Sequence, residues 1–244
     1  MKLSTYLPLH IMIRKITAVM VAAVLIGLCS SSHAASIAVP NYSFESPDIV
    51  FAAPGMDTWQ ISETDHGTQV GLFDNASPVK DNADGGQLAF IFAVPTVGIY
   101  QELSAPDAIY QVGLSYYLTV GVAGGGGPMT EGNNTLELGL YYLDGVTRVN
   151  IATNPIVYDY PGTDPDPRDH LYDFQVIVPE VQAGDAWAGK NIGVQIFVTT
   201  GVSGGYWDID NVRLESVPEP ASLGLLMTGV AGLLMARPRR HRKG

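Results

Sequence analysis

The sequence predicts an all-β fold, an antiparallel β-sandwich of jelly-roll type, with a segment of different character at each end of its 244 residues. Three observations carry this. Short runs alternate apolar and polar residues, Gly, Pro, Asp or Asn separate them, and no convincing helical period occurs between 35 and 216. Strands of this kind bury one face each and need a second sheet to cover it. Sandwiches of this size commonly remain single, which predicts one domain over 35–216 between segments 1–34 and 217–244.

The first segment has the order of a secretory signal. Lys2, Arg14 and Lys15 precede the uncharged stretch Ile16–Leu28, and Cys-Ser-Ser-Ser-His-Ala follows. Ser32 and Ala34 fit the small positions before a signal-peptidase cut after Ala34. Met12 offers an alternative start, because a complete signal already follows it. A retained anchor is disfavoured, since the stretch is short for a hydrocarbon core of about 30 Å. Cys29 is the only cysteine and lies inside this signal, so the mature chain has no disulfide. Its stability then rests on core burial, with a metal as the remaining staple.

Strand patterns follow in order. Residues 87–94 (QLAFIFAV), 113–122 (GLSYYLTVGV), 171–178 (LYDFQVIV) and 191–200 (NIGVQIFVTT) each read as a strand. In 135–145, Leu136, Leu138, Leu140 and Tyr142 alternate with Glu137, Gly139 and Tyr141. Asp144-Gly145 then predicts a two-residue hairpin turn into Val146–Ala152. Near the end the apolar phase slips by one between Trp207, Ile209 and Val212, Leu214, which predicts a bulge at Asp210. Residues 121–134 are glycine-rich and predict a surface loop. Residues 159–173 pack five aspartates among three prolines. They lack the oxygen spacing and central glycine of an EF-hand loop and read as a solvated, proline-stiffened turn.

Charge narrows the partners. Residues 35–217 hold 5 Lys and Arg against 23 Asp and Glu. Such a surface repels phosphate backbones and excludes nucleic acid as a partner. It attracts cations, calcium foremost outside the cell, although acidity also serves solubility alone.

The sequence holds no nucleophile elbow, zinc motif, phosphate loop or dinucleotide fingerprint, and after processing only His66 and His170 remain, without metal-pair spacing. The chain is therefore expected to be non-catalytic. A glycan-active hydrolase is the minor alternative, because two of its many acids could form a dyad. A binding module would use Trp59, Trp187, Tyr141 or Tyr206 as stacking platforms for sugar rings. In a structural or adhesive matrix protein the same rings would be core. Trp207 reads as core from its alternation with Ile209. Trp187, in a glycine-bounded turn, is the best candidate for an exposed ring, with folding back over the core as the other outcome.

The last segment has three parts. Pro218-Glu219-Pro220 excludes regular structure. Ala221–Ala236 follows, 16 residues without charge that as a helix would rise about 24 Å at about 1.5 Å per residue. Arg237, Arg239, Arg240, Arg242 and Lys243 close the chain and would hold the tail on the cytoplasmic side, with residues 221–236 in the membrane. This order resembles the PEP-CTERM sorting signal of Gram-negative bacteria, from Val217 to the end. The resemblance implies recognition by an exosortase, cleavage near the motif and transfer to the cell surface or exopolysaccharide matrix.

A second resemblance covers nearly the whole domain. Ile37–Pro47 (IAVPNYSFESP) and Gly205–Ser216 (GYWDIDNVRLES) look like the first and last strands of carbohydrate-binding-module-like jelly rolls of the galactose-binding type. Trp59 and Gly98–Leu103 (GIYQEL), with Gln101, fall where such domains often place a tryptophan and a matching glutamine. This resemblance implies a structural calcium joining first and last strands through Glu45 and Asp210, and makes exopolysaccharide an expected partner.

Overall fold

A computed structural model describes residues 33–62, 68–75, 80–124, 129, 134–158, 169–201 and 204–218. Most of the predicted signal segment, Glu219, Pro220, the apolar run 221–236 and Arg237, Arg239 and Arg240 lie outside these residues, as do His66 and most of both long loops. Ala34–Pro218 forms one compact unit. Among the described residues no helix is long and apolar enough to cross a membrane.

The described residues form twelve strands: β1 (Ala35–Ile37), β2 (Ala52–Pro54), β3 (Gln60–Ile61), β4 (Val70–Asp74), β5 (Gln87–Phe92), β6 (Gly98–Glu102), β7 (Leu114–Gly124), β8 (Thr135–Asp144), β9 (Thr147–Val157), β10 (Tyr172–Val178), β11 (Gly193–Thr200) and β12 (Tyr206–Pro218). One sheet runs β10-β7-β12-β5-β4-β2, with β1 also on β12, and the other runs β3-β6-β11-β8-β9. Every strand pairing is antiparallel. The all-β sandwich expected from alternation is therefore present.

The core lies between the sheets and follows the predicted phase. Leu136, Leu138, Leu140, Val194, Ile196 and Val198 face inward from one sheet, and Leu118, Val120, Trp207, Ile209 and Leu214 from the other. The predicted bulge is there. The register of β12 on β7 shifts between Asp210 and Arg213, and Asn211 takes a left-handed φ of 55°. The hairpin turn differs by one residue from the expectation. Asp144 still pairs with Thr147, so Gly145-Val146 form the turn, and Gly145 supplies the positive φ of 64° its first position needs.

A smaller apolar cluster lies outside the large one. Leu88, Ala123 and Leu171 pack together with Phe73 and Ala83. Leu171 belongs to the aspartate-rich stretch, so the end of that stretch buries an apolar side chain. Asp173 beyond it pairs with Arg213 and accepts a bond from the Asn82 amide.

Candidate functional site

Two places collect chemistry. The first surrounds the turn before β5. Asn41 ties the chain after β1, donating from Nδ2 to the Ser46 carbonyl (2.7 Å) and accepting from the Ser46 N–H (3.1 Å). This loop presents Glu45, whose Oε1 accepts from the N–H groups of Gly86 (2.9 Å) and Gln87 (2.8 Å). Buried Gln87 fastens the same loop, accepting from the Ile49 N–H and donating to the carbonyls of Phe44 and Pro47. From the other side, Asp210 Oδ2 accepts from the Asp84 N–H at 2.6 Å. Glu45 and Asp210, expected to staple first and last strands, therefore flank one turn, 84–87.

Asp210 is fully buried, and its Oδ1 has no hydrogen-bond partner. Burial raises its pKa to about 8; bonds from the N–H groups of Asp84 and Asn211 oppose this, and the nearby charges of Asp84 and Glu45 add to it. Hard carboxylate oxygens, one of them unpartnered and buried, are the donor chemistry calcium takes. Among the described residues no group of three or more Asp, Glu, His or Cys is placed to hold a metal ion. Two residues along β12, Asp208 pairs with Lys80 at 3.0 Å, and both side chains are buried. Burial pushes the Asp208 carboxyl up to about 6 against the lowering effect of Lys80.

The second place is the outer face of the five-stranded sheet. There a groove of about 900 Å³ is lined by Ser62, Thr96, Glu137, Arg148, Gln195 and Phe197, among others. On β6 and β11 the rings of Tyr100 and Phe197 stack, with centroids 6.4 Å apart and planes at 22°. Both sit on the phase opposite the buried Ile99 and Ile196. Arg148 reaches over them from β9, its guanidinium carbon 3.9 Å from the Tyr100 centroid and 4.9 Å from that of Phe197. Its Nη1 is buried and has no hydrogen-bond partner. The Tyr141 ring lies beside this stack, 6.0 Å from the same carbon. Its room comes from Gly193, since a Cβ there would overlap the ring.

The four expected stacking aromatics do not line one site. Trp59 is 5% exposed; its indole packs on Phe44 and donates to the Asn41 carbonyl at 3.1 Å, so it belongs to the core. Tyr141 is 1% exposed, and its flanks are closed to a stacked sugar. Trp187 lies half-buried against the core, as the folded-back outcome describes. Tyr206 sits on the other sheet, in a shallow apolar cleft of about 290 Å³ with Phe51, Phe73, Phe90 and Phe92. Gln101 is buried and donates to the Pro40 carbonyl at 3.2 Å.

Tyr100, Arg148, Gln195 and Phe197 were not singled out from the sequence. The available signal was two aromatic rings on strand phases where small or charged side chains are usual.

Residues 216–240 match the PEP-CTERM protein-sorting motif, which implies export and exosortase-dependent sorting. No curated protein matches the chain. Among solved structures, a cyclase from Fischerella sp. TAU in complex with 4-(1H-indol-3-yl)butan-2-one is similar at 18% identity and a TM-score of 0.58, over 75% of this chain and 98% of that one. Another cyclase structure from the same source gives 20% identity and 0.57, over 76% and 98%. These likenesses are of fold alone. TmCBM61, solved with β-1,4-galactotriose, is similar at 15% identity and 0.45, over 72% of this chain and 95% of that one.

Proposed function

We propose that this chain is an exported, non-catalytic polysaccharide-binding protein that takes a glycan in the groove of its five-stranded sheet. The groove itself carries this reading. Phe197 lines it with an apolar ring against which a sugar CH face can pack, and Asn150, Ser62 and Thr96 offer an amide and hydroxyls for sugar hydroxyls. Its volume is in the range of ligand clefts.

The sorting signal gives the address. After signal peptidase acts at the front and an exosortase at Pro218-Glu219-Pro220, the domain would reside at the cell surface or in the exopolysaccharide matrix. Polysaccharide is the abundant ligand in that setting. Calcium would be held by Glu45 and Asp210 and would supply the positive charge that buried Asp210 lacks.

The test is binding of the detergent-purified full chain to a panel of bacterial and plant polysaccharides, with calcium and with chelator. Saturable binding that falls about fivefold or more on Phe197→Ala is expected, in line with about 1 kcal/mol for an aromatic contact. An absence of binding across the panel would replace this reading with that of a structural or adhesive matrix protein.

A further inference from the structure

The groove contains a charge without a counter-ion. Of the basic side chains in the described domain, Lys80 is paired with Asp208 and Arg213 with Asp173. Arg148 has no carboxylate within ion-pair distance among the described residues, although acids outnumber bases in this domain by more than four to one. Its guanidinium is instead held over Tyr100 and Phe197, with Nη1 already removed from water and unbonded.

A partly desolvated cation without a partner is a cost to the free protein, and an anion on the open edge of the guanidinium removes part of it. Contact with two rings also restricts the side chain before any ligand arrives, so less of its freedom is left to lose on binding. The planar fork of a guanidinium matches the two oxygens of a carboxylate.

The surroundings limit how many anions can enter. Glu137 lines the same groove, and the domain as a whole is strongly acidic. Both repel a polymer charged at every unit, whereas a single carboxylate can meet Arg148 at short range. Building on the glycan reading above, we infer that Arg148 makes the groove selective for a largely neutral glycan carrying an isolated carboxylate, such as one uronic acid per repeat.

The experiment uses the full chain in detergent and a panel of neutral oligosaccharides, each paired with a version carrying one glucuronic or galacturonic acid unit. A hexamer of galacturonic acid is added as the polyanion. The wild-type chain is expected to bind the single-uronate member of its best pair at least about tenfold more tightly than the neutral member, as a charge-assisted bidentate contact would give. Arg148→Gln should bring the ratio of the two affinities to about one, and Arg148→Lys, which keeps the charge without the fork, should retain part of the preference. Glu137→Gln should strengthen binding of the hexamer.

Equal or tighter binding of the neutral members overturns the inference and leaves the glycan reading standing. A uronate preference that survives Arg148→Gln, in a variant melting like wild type, overturns it too. So does a hexamer that binds better than every single-uronate member. No binding by any member removes the glycan reading, and this inference with it.

Discussion

Replacing Asp210 by Asn tests the staple at the turn before β5. In the folded chain the Asp210 carboxyl titrates near pH 8, because burial disfavours its charge, against an ordinary value of 3.8. Since the folded value is the higher one, the contribution of this group to stability is full below about pH 4 and declines as pH rises through about 8. At about 1.4 kcal/mol per unit, the loss at pH 7 reaches about 4 kcal/mol relative to acid. An Asn carries no charge; its carbonyl can accept from the Asp84 N–H, and its amide can point where Oδ1 has no partner. In chelator, Asp210→Asn should therefore raise the melting temperature at pH 7 by about 5–10 °C, from about 2–4 kcal/mol at this domain size. At pH 4 the two proteins should melt together. Calcium should close most of the gap by stabilising the wild type, by about 2.7 kcal/mol at a hundredfold excess over its dissociation constant, with little effect on the variant. Differential scanning calorimetry from pH 4 to 8 reads all of this. Parallel pH profiles for the two proteins in chelator would refute the burial argument, and equal calcium stabilisation of both would refute Asp210 as a ligand.

Three further outcomes follow from packing. Lys80→Met leaves Asp208 buried without its cation and should cost about 3–5 kcal/mol in urea unfolding at pH 7, with a smaller loss at pH 5, where the carboxyl can take a proton. The double variant with Asp208→Asn should recover most of that loss. Gly193→Ala drives a methyl into the Tyr141 ring and should destabilise the fold by about 1–3 kcal/mol, read as a lowered melting temperature. Trp187→Ala should lower stability by about 2 kcal/mol or more through lost packing and leave glycan affinity unchanged within about twofold, since this ring packs on the core away from the groove.

Strand phase was legible wherever one face of a strand is buried. Leu136 to Tyr142 and Ile192 to Val198 sit on the sides their alternation assigns, and the slip between Ile209 and Val212 marked a bulge. β2, β3 and β4 were not legible. Two are only two or three residues long, and Val70, Gly71 and Leu72 in β4 are all buried, which erases alternation. Glu45 and Asp210 were found through a resemblance of the chain ends, and their shared turn at 84–87 comes from tertiary packing that no local pattern encodes. The aromatic residues failed as a guide for a related reason. Trp59 and Trp187 were weighed by type and loop context, whereas Tyr100 and Phe197 matter because antiparallel pairing of β6 with β11 brings them side by side. The isolation of Arg148 from acids is likewise a property of the folded surface.

The place where the chain leaves the domain has a mechanical consequence. The sorting segment continues directly from β12, an inner strand paired along most of its length with β7 and over its first residues with β5. Near its end β12 is held by β1 as well, where Ala35 pairs with Ser216. Antiparallel hydrogen bonds lie across the strand axis. A pull on Pro218 along β12 therefore loads many of them at once in shear, instead of peeling an edge one bond at a time. While the domain is held at this end, its lifetime under a pulling force is then set by its unfolding rate along this direction more than by its equilibrium stability.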